Sequence, residues 1–243
     1  MPPKSKNKAI KKQNDQNQFS KRRFNNTPTT ILSWPIISTK SNLQIETIYQ
    51  DQIVIIPSFF TPKECANMIN FINKSIPLES ANQSLKPKKG EAYRDNDRFS
   101  IENIKFSQEL YDSGLSPLVS NWSSTLTKKP AVGLNPNIRI YKYSKGQKFG
   151  QHYDDSVQDS LGRISEWTLL IYLNGGDNEN EVSLYGGETV FYKKKEEIVI
   201  KPERGMALLH KHGHDCLLHV SYNLCIKPSF LKNLLINYTF NPK

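Results

Sequence analysis

After Pro136 the chain breaks into short apolar runs, each closed by Gly, Pro, Asn or Asp: NIRIYKY, EWTLLIYLN, GGETVFY, EIVIKP, GMALLH, DCLLHV and LKNLLINYTF. Runs of this length, rich in β-branched and aromatic residues, read as strands rather than helices. About a hundred residues built this way need an arrangement that protects many sheet edges, and a double-sheet jelly roll provides one. Eleven Tyr and eleven Phe in 243 residues strengthen the β preference.

Upstream the pattern changes. QIVIIPSFF from Gln52 reads as a short buried strand, and Thr61, Pro62 and Glu64 then spell a helix start. Thr at the N-cap with Glu three residues later forms a capping box, and Pro stands where its missing N–H costs least. Cys65, Met68, Ile69 and Ile72 repeat at the spacing of a helix lying on a core. A second helical stretch is expected after Ser116 (PLVSNWSSTL), beyond a polar link containing KPKKG and RDNDRFS. The expected fold is mainly β with supporting helices: a double-stranded β-helix (jelly roll) core over 136–240, flanked by N-terminal helices within 52–130. Residues 31–240 form a single domain in this reading, and no internal repeat is visible.

The formal net charge of +10 is unevenly spread. Residues 1–30 hold eight Lys and Arg against Asp15 alone, so seven of the ten charges sit there. This segment, poor in apolar residues, is expected to be a disordered basic tail. Its clusters at 11–12 and 21–23 suit a nuclear localisation signal (an import-receptor contact), an RNA-binding arm or a solubilising tail. Three cysteines, Cys65, Cys216 and Cys225, cannot all pair, and none lies in a CxxC, which favours a reducing compartment. The N-terminus has no apolar leader, and no run approaches the ~20 apolar residues of a spanning helix. Nucleus or cytoplasm is therefore expected, with neither secretion nor a membrane.

Within QKFGQHYDDS, His152 and Asp154 stand two apart, so on a strand both side chains share one face. An imidazole and a carboxylate need a third ligand, and four of the five histidines, His210, His212, His214 and His219, crowd into GMALLHKHGHDCLLHV. Two His and one carboxylate leave open positions on a metal, as in non-haem Fe(II) oxygenases.

The flanks raise this pair above chance. IRIYKYSKGQKFGQHYDDS, WTLLIYLN, LYGGETVF and GMALLHKHGHDCLLHV occur in that order, and together they resemble the prolyl 4-hydroxylase-like 2-oxoglutarate/Fe(II) dioxygenases. The resemblance spans roughly 52–240 and is nearest the intracellular eukaryotic type. It implies His152, Asp154 and His219 as iron ligands, with His210, His212 and His214 as hairpin residues between two strands. A separate HxHxH metal cluster is the alternative for those three. Tyr143, nine residues before His152, resembles the tyrosine lining the cosubstrate pocket, and Tyr172 the one bonding the distal carboxylate. Thr189 would face the cosubstrate, beside a turn allowed by Gly186 and Gly187.

The family's cosubstrate cation lies on the last strand, which implies Lys232, with Lys227 as the alternative. Val220-Ser221 stand where the family has Glu-Gly. Asn96 and Arg98, in an N-x-R, are candidate substrate contacts.

The resemblance further implies Fe(II), 2-oxoglutarate and O₂, release of succinate and CO₂, ascorbate as reductant, and a protein or peptide substrate hydroxylated at prolyl or another residue. Two rivals are weighed against it. A nucleic-acid-directed oxygenase or demethylase would carry an arginine-rich final motif, absent here, and the domain outside the tail is nearly neutral. A catalytically silent jelly-roll binding module has no reason to keep His152, Asp154, His219 and a late Lys together.

Overall fold

A computed structural model describes residues 32–80, 92–119, 131–160, 162–176, 186–193, 196–213, 218–221 and 231–240, the last two stretches by their backbone alone. The basic tail, Lys227, His214, Cys216 and Cys225 lie outside the described residues. Trp34–Lys243 is one compact unit.

The chain begins with β1 (Glu46–Tyr49), β2 (Ile53–Ile56), α1 (Pro62–Ser75), β3 (Asp97–Glu102) and α2 (Ile104–Leu110), which runs into a π-helical turn, Tyr111–Leu115. Then follow β4 (Ala131–Leu134), β5 (Asn137–Tyr143), β6 (Phe149–His152), β7 (Ile164–Tyr172), β8 (Thr189–Lys193) and β9 (Glu196–Ile200). The series closes with β10 (Ala207–Lys211), β11 (Leu218–Ser221) and β12 (Leu231–Phe240). The major sheet has the order β1-β2-β10-β7-β12-β5-β3, with β4 pairing β12, and the minor sheet has the order β6-β11-β8-β9. From β5 to β12 the chain passes repeatedly between the two sheets, the winding of a jelly roll. The molecule is mainly β, as the punctuated runs implied.

The faces follow from the pleat. Leu208 and Leu170 stand directly opposite on β10 and β7. They pack with Phe149, Phe191, Tyr141, Tyr143, Tyr172 and Met206 into one buried cluster between the sheets. Their strand neighbours Leu169, Ile171 and Leu209 are equally buried on the outer face, so the major sheet is covered on both sides. Helix α1 lies beside the end of β7, where Ala66, Ile69 and Asn70 line one cleft with Leu173 and Arg204. Its Cys65, Met68 and Ile72 are buried, each such side chain worth about 1.5–3 kcal/mol.

The capping box is present: Thr61 N–H donates to Glu64 Oε2 at 2.8 Å, and Glu64 N–H to Thr61 Oγ1 at 3.2 Å. Glu64 Oε1 also accepts from the Ser38 backbone and hydroxyl and from Lys40 Nζ. Burial alone would raise this carboxyl, but the hydrogen bonds from Thr61, Ser38 and Lys40 outweigh it and bring it down to about 2.

Two expectations change. The second helix starts earlier, at Ile104, because Asn103 Oδ1 caps it by accepting from Phe106 N–H at 2.8 Å. It continues as helix through Val119, and the rest of PLVSNWSSTL lies outside the described residues. RDNDRFS is not merely a polar link: its end opens β3, which pairs with β5 over six residues, from Asp97↔Lys142 to Glu102↔Asn137.

Candidate active site

Strand β6 carries His152, and its position is set by a distant segment. Gly150 N–H donates to Tyr93 O at 2.7 Å, Lys148 N–H to Asp95 Oδ1 at 2.6 Å, and Gln147 Nε2 to Asp95 O at 2.8 Å. A side chain at Gly150 would bring its Cβ within 3.3 Å of Tyr93 O, so the close approach favours glycine. Arg94 then lays its guanidinium 3.6 Å from the Phe149 ring centre, and Phe149 stacks on His152 at 3.8 Å and 15°. The His152 ring is thereby clamped on one face. Its Nδ1 donates to Gly150 O at 2.8 Å, which makes Nε2 the ring nitrogen without hydrogen, the one able to act as a ligand.

Nε2 of His152 lies 3.5 Å from Asp154 Oδ1. That is too long for a useful hydrogen bond, and close to the separation of about 3 Å between adjacent ligands with bonds of about 2.1 Å. The other oxygen, Oδ2, accepts from Thr168 Oγ1 at 3.0 Å and faces His210 Nε2 at 3.2 Å. Thr168 Oγ1 also meets His212 Nε2 at 2.8 Å, and Gly213 N–H donates to the Asp154 carbonyl at 3.1 Å.

His210 thus belongs to β10 and to this site, not to a hairpin; His212 follows immediately after the strand, also at the site. Burial pushes the His210 imidazole down to about 4, against the pull of Asp154, and burial lowers His212 as well. The i, i+2 spacing from Leu208 was the signal in the sequence, hidden because HKHGH reads as polar punctuation.

His219 stands directly opposite His152 in the β11–β6 register and opposite Phe191 of β8. Residues opposite each other in an antiparallel pair share a face, so the backbone sets His219 beside His152. The side chain of His219 lies outside the described residues. Among the described residues no group of three His, Cys, Asp or Glu forms a metal site. His152, Asp154 and the adjoining strand position of His219 nevertheless make a donor set of the type that suits a divalent first-row metal.

Tyr143, Tyr172 and Thr189 are all buried, and Tyr172 Oη meets Thr189 Oγ1 at 2.6 Å. Burial raises the Tyr172 phenol, so it stays protonated and able to donate. Lys232 is not brought to these groups by the register: it stands opposite Lys142, one place out of step with Tyr141 and Tyr143. Its side chain, like Lys227, lies outside the described residues.

Arg98 is half-buried and in register with Tyr141, on the face of the buried cluster. Desolvation and then the charge of Arg94 lower its guanidinium. Asn96 is fully buried with its amide donating to Asp97 O, and so presents no surface to a substrate. Arg94, stacked at the site, is the residue of that stretch that the sequence did not single out.

Residues 138–220 match the family model of the 2OG-Fe(II) oxygenase superfamily. That span runs from β5 into β11 and takes in His152, Asp154, Tyr172, Thr189 and His219. No curated protein matches the chain. Among solved structures, it is similar to the viral collagen prolyl hydroxylase of Paramecium Bursaria Chlorella virus-1 in its 2OG complex, at 19% identity. That match covers 79% of this chain and 97% of that one, with a TM-score of 0.50. A Pseudomonas putida prolyl-4-hydroxylase is 13% identical over 77% of this chain and 92% of its own, TM-score 0.51. A Trichoplax adhaerens prolyl hydroxylase, solved with a hypoxia inducible factor oxygen degradation domain peptide fragment, is 18% identical over 78% and 84%, TM-score 0.52. At these identities the likeness is one of fold.

Proposed function

We propose that this chain, whose residues 138–220 match the 2OG-Fe(II) oxygenase superfamily model and whose fold is prolyl hydroxylase-like, is an oxygenase of that superfamily that hydroxylates a C–H bond of a protein substrate, first of all at a prolyl residue. The observation that supports this most is the approach of His152 Nε2 to Asp154 Oδ1, with His219 opposite His152 in register. The reaction would consume 2-oxoglutarate and O₂ and release succinate and CO₂, with ascorbate as reductant.

His152, Asp154 and His219 would hold the iron, which when bound supplies the oxygen-activating chemistry. Every other contribution is the protein's own. Phe149 and Gly150 fix the His152 ring and its tautomer. Tyr172, protonated and paired with Thr189, offers a hydroxyl to the distal carboxylate of the cosubstrate, and Tyr143 walls the same pocket. Of the two candidate cations, Lys227 in preference to Lys232, which the register sets opposite Lys142 and out of step with Tyr143, would neutralise that carboxylate, an ion pair that gains strength away from water. Leu170, Phe149 and Phe191 keep the interior dry. Arg98 and Arg94, beside Tyr141, are proposed to meet the substrate.

The basic tail is proposed as a contact for RNA or an import receptor, with the protein in nucleus or cytoplasm. A reducing setting suits Cys65, a buried free thiol pushed up to about 12 by burial. Among the described residues no helix is long and apolar enough to cross a membrane.

Anaerobic addition of Fe(II) and 2-oxoglutarate should produce a weak visible charge-transfer band that His152→Ala abolishes. Folded wild-type protein without the band would sink the oxygenase reading. Incubating cell proteins with the enzyme, Fe(II), 2-oxoglutarate and ascorbate should add 16 mass units to prolyl residues. Addition confined to other residues would replace the prolyl assignment.

A further inference from the structure

The two oxygens of Asp154 have different surroundings. Oδ1 is the one near His152 Nε2, at 3.5 Å, whereas Oδ2 meets Thr168 Oγ1 at 3.0 Å and His210 Nε2 at 3.2 Å. We propose that His210, together with His212 acting through Thr168, is a positioning residue that holds Oδ2 and so presents Asp154 to the metal through Oδ1 alone. This rests on the reading of His152 and Asp154 as metal ligands.

The hydrogen-bond directions are determined by chemistry. A carboxylate only accepts, so the Thr168 hydroxyl donates to Oδ2, while His210 Nε2 faces the same oxygen at 3.2 Å as a close polar contact rather than an aligned hydrogen bond. With its one hydrogen so placed, Thr168 Oγ1 accepts from His212 Nε2 at 2.8 Å. The His212 imidazole is thereby fixed as a donor through Nε2, and a nitrogen bearing hydrogen cannot bind a metal. In the proposal His210 turns its Nε2 to the outer oxygen of Asp154 and leaves the metal position to His152.

The fold makes this arrangement rigid. His210 and Thr168 are opposite residues of β10 and β7, so their side chains rise from one shelf of the sheet. Phe191 meets the His210 ring edge-on at 5.3 Å, and Gly213 N–H holds the Asp154 carbonyl. Turning the carboxylate to chelate with both oxygens would break the Thr168 hydrogen bond and the His210 contact at once.

The test compares His210→Phe, His210→Gln and Thr168→Val in the full chain. Its readouts are Co(II) and Mn(II) affinity by titration, the visible bands of the Co(II) protein, and the melting temperature without metal. His210→Phe and Thr168→Val should each weaken Co(II) binding about 10–100-fold, the usual effect of losing a group that orients a ligand. Gln, whose amide can donate to the same oxygen, should recover most of the affinity with Co(II) bands unchanged.

A Phe variant that binds Co(II) as the wild type does would overturn the proposal. So would a Gln variant with no recovery and shifted bands, which would make His210 a ligand. Should the Phe variant not fold, Thr168→Val and Gln decide alone: wild-type affinity in Thr168→Val refutes, weakening there with recovery in Gln supports. Folded wild-type protein that binds neither metal would overturn the ligand reading itself, a result distinct from unchanged binding in the variants.

Discussion

Phe149 lies between a guanidinium and an imidazole, with Arg94 over its ring at 3.6 Å and His152 stacked at 3.8 Å. Phe149→Leu keeps an apolar side chain and removes both ring contacts. Cation–π and ring-stacking contributions of about 0.5–1.5 kcal/mol each predict a loss of about 1–3 kcal/mol, measured by urea denaturation of the metal-free protein. Arg94→Ala should give the smaller share of that loss. Tyr172→Phe strands the buried Thr189 hydroxyl and should cost about 1–3 kcal/mol while weakening 2-oxoglutarate binding by titration. The nearness of His152 and Asp154 was legible from their spacing alone, although β6 ends at His152 and Asp154 follows it rather than sharing the strand. Arg94 and His210 were not, since each acquires its role from a strand or segment far away in sequence.

At the scale of elements, α1 shows what local signals can carry. Its start at Pro62 is written in four consecutive residues, and the structure adds only Ser38 and Lys40 as partners of Glu64. The Glu64 carboxyl titrates near 2 when folded against an ordinary 4.5, so its contribution is complete above pH 4.5 and fades as pH falls towards 2. Glu64→Gln should therefore be less stable than wild type by about 1–2 kcal/mol at pH 7, the usual weight of a cap. The gap should narrow steadily as pH falls from 4.5 towards 2, read from urea midpoints at pH 7 and pH 2. Strand β3 is the opposite case. Arg98 and Ser100 alternate with Phe99 and Ile101 in a polar setting, and only pairing with β5 makes DRFSIE a strand. Propensity is silent where pairing decides.

Across the whole chain, charge and fold are separated. Seven of the ten net positive charges lie in residues 1–30, leaving about three for everything after. A variant lacking residues 1–30 should keep the Fe(II)–2-oxoglutarate band and lose any salt-sensitive RNA binding, followed by titration at several salt concentrations. RNA binding that survives the deletion would assign that contact to the rest of the chain. The two-sheet architecture was legible because each strand run ends in a breaker. The order of strands in the sheets was not, because no local pattern says that β10 lies between β2 and β7.

That order has a consequence for how the protein matures. Asp154 is held by Thr168, His210 and Gly213, and His152 meets His219 only across the β6–β11 pair. Apart from Thr168, these partners lie some sixty residues further along the chain, a topology of high contact order in which long loops must close first. A nascent chain that has finished β7 but not yet paired β10 and β11 has no complete grip on a metal. If these residues hold the proposed iron, loading is coupled to barrel closure, and a redox-active ion would be received only by a chain already folded around it.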